Sequence, residues 1–175
     1  PKSEIRNPKS TILLTGGLGF IGSHTAVELI ANGYSVVIAD NLSNTRIEVL
    51  EAIFRVSGVK PAYENIDLSD KTAVKNLCEK YSFDGCIHFA AFKAVGESVA
   101  NPLKYYDNNL SSLTYLLQNF TQKGWSNFIF SSSCTVYGQA DKMPITEDAP
   151  IKPAESPYGN TKQMGEEVIV DTVKA

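Results

Sequence analysis

Thr15-Gly16-Gly17-Leu18-Gly19-Phe20-Ile21-Gly22 is the stretch on which the fold of this chain turns. Thr11 to Thr15 is a short apolar run that reads as a buried strand. Phe20 to Asn32 carries Ile21, Ala26, Val27, Leu29 and Ile30 at helical spacing and stops at Asn32-Gly33. The glycines fit G-x-G-x-x-G from Gly17, and also Gly16, Gly19 and Gly22 at three-residue spacing. Both readings make one physical demand. A strand must turn sharply into a helix whose bare amide end meets a pyrophosphate, with no side chain in the way. Alone, such a string is weak, because a glycine-rich turn can be only a turn. Asp40 strengthens it. It closes a second strand, Ser35 to Ala39, 18 residues after Gly22. A carboxylate there accepts from an adenosine ribose and disfavours a 2′-phosphate, so NAD is expected over NADP.

Outward from that unit, strands and helices alternate. Helices are expected over Thr45–Val56 and Asp70–Tyr81, the latter with Val74, Leu77 and Cys78 inward, and strands over Ala62–Asn65 and Gly85–Phe89. Asn101-Pro102 reads as an N-cap followed by proline at the first helical position, opening a helix to about Lys123. Its Leu103, Tyr106, Leu110, Leu113 and Leu117 form one apolar stripe. A strand over Asn127–Ser131, an irregular segment from Cys134 to Pro157 and a last helix from Pro157 complete the pass. The pattern predicts an α/β fold: a Rossmann-type doubly wound parallel sheet in three αβα layers. Ligand then sits at the carboxyl ends of the strands.

The last helix carries Tyr158-Gly159-Asn160-Thr161-Lys162. Residues four apart share a helix face, so Lys162 can bring its ammonium near the Tyr158 phenol and favour the phenolate. Ser131-Ser132-Ser133 ends the strand before it. Ser131 and Ser132 read best as partners for loose backbone groups, and Ser133 as a hydrogen-bond partner for a substrate hydroxyl held toward Tyr158.

Bulk properties bound the rest. The chain has 175 residues, 43% apolar and 20% charged, with a net charge of -3. That suits one well-cored domain and argues against nucleic acid as the main partner. No apolar run approaches a membrane span. Lys2, Arg6 and Lys9 precede no signal-peptide core, so a cytoplasmic enzyme is the default expectation. Cys78, Cys86 and Cys134 are scattered, read as reduced thiols, and imply neither a metal nor a disulfide. His24 and His88 read as packing or backbone-bonding residues, Trp125 as an anchor beside a strand, and Glu147 and Asp148 as solvated.

Taken together these residues resemble the UDP-galactose (UDP-glucose) 4-epimerases, extended short-chain dehydrogenase/reductases. The similarity runs through the glycine turn to Thr25, Asp40–Asn44, Ile87–Ser98, Tyr105–Asn109, Phe128–Ser133 and Ser156–Gly159. Lys93-Ala94-Val95-Gly96-Glu97-Ser98 and Tyr105-Tyr106-Asp107-Asn108-Asn109 are more specific than the glycines, and the Ser133-to-Tyr158 separation of 25 also matches. The resemblance implies that Gly16, Gly19, Phe20, Ile21 and Gly22 cradle the pyrophosphate. It implies Asp40, Asn41, Asn44 and Thr45 at the adenosine, and Asp67 and Leu68 beside the adenine. Phe89, Ala90, Ala91, Lys93, Asn108 and Ser131 would line the cofactor toward the nicotinamide. Tyr158 would be the base, Lys162 its bridge to the nicotinamide ribose, and Ser133 the contact to substrate and tyrosine, with Lys93 also on the substrate side.

The implied activity is NAD-dependent inversion of a UDP-hexose at C4 through a 4-keto sugar, as in galactose metabolism. The implied assembly is a homodimer through the Asn101–Lys123 and Tyr158 helices. Residues 1–175 would be the NAD-binding part, with the substrate domain outside this chain and little activity in the fragment alone. Two departures stand out. Ala91 replaces a frequent glycine and Cys134 a common alanine. The alternatives are another NAD-dependent nucleotide-sugar epimerase, a dehydratase or decarboxylase of the same fold, or a non-catalytic NAD-binding protein. Nucleotide-sugar dehydratases of this fold resemble one another in an Asp-Glu pair after the strand-end serine or threonine, where this chain has Cys134-Thr135. A non-catalytic dinucleotide sensor would typically lose the tyrosine or lysine, and both are kept.

Overall fold

A computed structural model describes residues 10–175, and the basic N-terminal stretch with Lys2, Arg6 and Lys9 lies outside the described residues. The elements in order are β1 (Thr11–Thr15), α1 (Phe20–Ala31), β2 (Ser35–Ala39), α2 (Glu48–Ser57), β3 (Ala62–Glu64), α3 (Lys71–Lys80) and β4 (Gly85–His88). They continue with α4 (Val95–Ala100), α5 (Pro102–Lys123), β5 (Phe128–Phe130), a 3₁₀ turn (Cys134–Tyr137) and α6 (Pro157–Lys174). The five strands pair in parallel in the order β3-β2-β1-β4-β5. The chain builds outward from β1 to β3 and then crosses back to β4, so the order reverses between β1 and β4. A crevice at the carboxyl ends of strands opens at such a reversal.

Side chains alternate across a strand, and β1 shows what that does here. Leu13 joins one core with Val37, Cys86, Val74 and Leu77 of α3, and Leu116 and Phe120 of α5. Leu14, its neighbour, joins the other with Ile38, Ala26 of α1, and Leu50 and Ile53 of α2. The sheet is therefore covered on both faces, which is why its strands read as continuous apolar runs. Trp125 packs edge-on against Phe83 and Phe120, with ring centroids 5.4 Å and 5.1 Å away. α6 lies against α5 and the end of β5, and Gly165 permits the approach: a Cβ there would stand 2.7 Å from Phe130 Cζ.

Four expected details change. α2 begins at Glu48 and not at Thr45, because Asp40 ties down the preceding segment. Its Oδ1 accepts from the Leu42 amide (3.0 Å) and the Thr45 hydroxyl (2.8 Å), with Leu42 at φ 60°. α4 was not expected, since Gly96 interrupts any helical reading of so short a stretch. Asn101 does not cap α5 through its side chain; its amide closes α4 by donating to the Glu97 carbonyl at 2.8 Å. The stripe on α5 is rotated. Leu113 and Leu117 are buried, but Leu103 is 80% exposed and the inward face runs through Tyr105, Asn109, Ser112, Leu116 and Phe120. Counting apolar residues alone misplaces a face that also buries amides and hydroxyls for a polar neighbour.

Candidate active site

The glycine turn is tight for reasons visible atom by atom. Gly16 has φ 64°, and a Cβ on it would sit 2.8 Å from the Ala90 amide nitrogen. A Cβ on Gly22 would meet the Gly16 carbonyl oxygen and lie 2.8 Å from Gly17 Cα. The turn and the start of α1 thus interlock as bare backbone. Gly19 precedes α1 with no side chain over its first amides, leaving that end to an anion. Phe20 and Ile21 stand exposed beside it, and His24 Nδ1 lies 2.7 Å from the Phe20 carbonyl.

Asp40 is buried and already engaged. Besides Leu42 and Thr45, its Oδ2 accepts from the Leu18 amide at 3.1 Å. A carboxylate offers about four acceptor positions, so roughly one is left for a ligand hydroxyl. Asn41 donates to Asp67 (3.3 Å). Burial raises the Asp67 carboxyl, but hydrogen bonds from the Ser69 hydroxyl and amide and from Asn41 outweigh it and hold the group below its ordinary value.

At the end of β4, His88 is fully buried with Nδ1 2.7 Å from the Thr15 hydroxyl oxygen, and the Ala90 amide donates to that same oxygen at 3.3 Å. Burial, with the Lys162 charge behind it, pushes His88 down to about 3, so the imidazole is neutral. The following loop is fixed by Asn109 of α5. That amide accepts from the Phe92 amide (2.9 Å) and from Asn108 (2.9 Å), and donates to the Phe92 carbonyl (3.0 Å) and the Thr161 hydroxyl (3.1 Å).

α6 starts at Pro157 behind Ser156, whose hydroxyl accepts from the Gly159 amide at 3.1 Å. One turn on, Lys162 is 4% exposed; its Nζ donates to the Ser131 carbonyl at 2.8 Å and stands 4.6 Å above the Phe130 ring. Burial brings this amine down to about 8. The ammonium expected near the Tyr158 phenol is thus anchored on the strand end, with Tyr158 and Lys162 lining the same cleft.

That cleft gathers the residues expected at a cofactor. Gly16, Gly19, Phe20, Ile21 and Gly22 line it from the turn; Asp40, Asn41, Asn44, Thr45, Asp67 and Leu68 from the β2 and β3 side. Phe89, Ala90, Ala91, Lys93 and Asn108 line it from the β4 side, with Ser131, Tyr158 and Lys162 beyond. Ser133 is outside this lining. Its oxygen accepts from the Thr135 amide (3.3 Å) and hydroxyl (3.0 Å), capping the 3₁₀ turn, with its own proton left to donate. Ser112 and Ser132 also line the cleft, although the sequence points to neither as a cofactor residue. Ser112 has a signal, standing one helical turn after Asn108; Ser132, expected to bond the backbone, instead donates its hydroxyl to the Glu166 carboxylate. Among the described residues no group of His, Cys, Asp and Glu side chains could hold a metal ion. Cys78 and Cys86 are buried thiols that burial pushes up, Cys78 to about 11.

A reversing parallel sheet, a glycine turn into a helix and a Tyr/Lys helix on one crevice define a Rossmann-type α/β protein of the short-chain dehydrogenase/reductase class. The family model described as GDP-mannose 4,6 dehydratase matches residues 13–175, and the chain belongs to that family. Among curated relatives it is 45% identical over 164 residues to a UDP-glucose 4-epimerase of Neisseria meningitidis serogroup A, covering 94% of this chain and 48% of that protein. A UDP-glucose 4-epimerase of Bacillus subtilis is 47% identical over 160 residues, covering 91% and 47%. Among solved structures, UDP-glucose 4-epimerase from Bifidobacterium longum in complex with NAD+ and UDP superposes with a TM-score of 0.89 at 41% identity, covering 92% of this chain and 48% of that one. The chain spans about half the length of the curated relatives it matches.

Proposed function

We propose that this chain is the NAD-binding part of a UDP-glucose/UDP-galactose 4-epimerase, with residues 1–175 forming the cofactor domain and further sequence supplying most of the sugar-nucleotide pocket. The observation that carries the reading is the single cleft joining the glycine turn and Asp40 to Tyr158 and Lys162. The cradle suits a dinucleotide, because a Cβ at Gly16 or Gly22 would occupy backbone space that the turn needs. Relatives described as UDP-glucose 4-epimerases, one solved with NAD+ and UDP, support the choice of cofactor and substrate.

NAD, when bound, supplies a hydride acceptor that later returns the hydride. The chain's residues do the rest. Asp40 receives the adenosine ribose hydroxyl, and the start of α1 receives the pyrophosphate. Tyr158, as phenolate, takes the proton of the sugar 4-hydroxyl and gives it back after the 4-keto sugar has turned over. Lys162, held on the Ser131 carbonyl, stabilises the phenolate, and Ser133 has a free proton with which to orient the hydroxyl. The dehydratase reading suggested by the family model's description lacks its acid and base here, since Cys134-Thr135 follow Ser133. A homodimer through α5 and α6 fits the exposed Leu103, Val170 and Val173. A cytoplasmic location follows from the carbohydrate-metabolic reading; no described helix is long and apolar enough to cross a membrane.

A coupled assay of the full-length protein with UDP-galactose and UDP-glucose tests the proposal. Tyr158→Phe should lower kcat by about 10²- to 10⁴-fold while NAD stays bound. Near-normal turnover of that variant would overturn the base, and robust turnover by residues 1–175 alone would overturn the domain division.

A further inference from the structure

Lys162 and Glu166 stand one turn apart on α6, the spacing at which an ammonium and a carboxylate ordinarily meet. Here they do not. Among the described residues no ion pair joins them. Lys162 Nζ donates to the Ser131 carbonyl at 2.8 Å, and the Glu166 carboxylate accepts from the Ser132 hydroxyl. Two opposite charges of one helix therefore grip consecutive residues at the end of β5. The close seating of α6 on Phe130 at Gly165 makes both reaches possible. An ammonium has three protons to donate, and the Ser131 carbonyl takes one. A carboxylate released one turn away would be drawn to the others. Ser132 lines the cleft, yet its proton is committed to Glu166, so it has none to offer a bound sugar.

We propose that Ser132 is a positioning residue that holds the Glu166 carboxylate off Lys162, so that the lysine's charge acts on Tyr158 in the cleft instead of being neutralised along its own helix. The inference rests on the epimerase reading for its kinetic consequence, though not for its electrostatic one. The titratable groups facing the Lys162 amine are few. His88 approaches from β4 and is neutral, Tyr158 and Glu166 flank it on α6, and α5 brings the uncharged Asn108 and Ser112 to the same cleft. Lys93 lines the same cleft from the β4 side and Asp40 and Asp67 line it from the β2 and β3 side, and Glu166 is the carboxylate one turn from Lys162 on its own helix.

The test is a pair of variants in the full-length holoenzyme. Ser132→Ala should lower kcat about tenfold with KM and bound NAD little changed, because Glu166 is freed to pair with Lys162. Adding Glu166→Gln removes the competing charge, and the double variant should recover to within about threefold of the parent. A role limited to the lost hydrogen bond predicts the opposite, a double variant no better than Ser132→Ala. That result, or a Ser132→Ala kcat within about twofold of the parent, overturns the proposal. Titration of the [ε-¹³C]lysine signal of Lys162 decides the matter without turnover. Its midpoint should rise in Ser132→Ala and return in the double variant, and an unmoved midpoint in Ser132→Ala also overturns it. If the parent shows no epimerase activity, the functional reading falls and this titration still judges Ser132.

Discussion

Single atoms decide whether the glycine turn can exist. Gly22→Ala would place a methyl against the Gly16 carbonyl oxygen and 2.8 Å from Gly17 Cα, both backbone and unable to step aside cheaply. The expected cost is about 1–3 kcal/mol of stability, with NAD affinity weakened as the turn opens; urea unfolding and calorimetric titration with NAD check the two effects. This part of the site was legible because only one residue type satisfies the geometry. Asp40 was legible for its spacing, and its bonds to the Leu42 amide and Thr45 hydroxyl are local, but the Leu18 amide, 22 positions away, reaches it only once the turn and β2 lie side by side. The same applies to Ser132 and Glu166, 34 positions apart. Nothing local to either residue announces the other.

At the scale of elements, periodicity and caps did well where a helix has one apolar face and clear ends. α1, α3 and α6 keep their expected starts within a residue. α5 shows the limit. Its inward face includes Asn109, which bonds the Phe92 loop and Thr161, and Ser112, whose hydroxyl donates back to the Asn109 carbonyl. α6 gives the sharpest test of an element's end. Ser156 accepts from the Gly159 amide at 3.1 Å, so Ser156→Ala should lower stability by about 1 kcal/mol. A lowered urea midpoint at unchanged slope would register it. Tyr158 lies two residues inside that cap, so fraying there should also weaken NAD retention in the full-length protein.

The whole molecule responds to pH through its buried bases. The His88 imidazole falls to about 3 in the fold, whereas an unfolded histidine titrates near 6.5. Between those values the unfolded chain binds the additional proton. Stability from the neutral imidazole is thus complete above about pH 6.5 and lost toward about pH 3, at about 1.4 kcal/mol per unit. Lys162, brought down to about 8 from 10.5, acts in the same sense, its contribution still growing through the alkaline range. Urea midpoints followed from about pH 7 to about pH 4 should fall steadily, and His88→Asn should flatten the slope by about one proton. Nothing in the residues around His88 in sequence predicts this; burial against Phe128 and Phe130 does. The placement of Leu13 and Leu14 bears on how such unfolding proceeds. Neighbours on one strand anchor the packing of opposite faces, so neither layer of helices can detach without loosening the strand that seats the other. The two helix layers are therefore expected to open together, while helix ends such as the first turn of α6 still fray on their own.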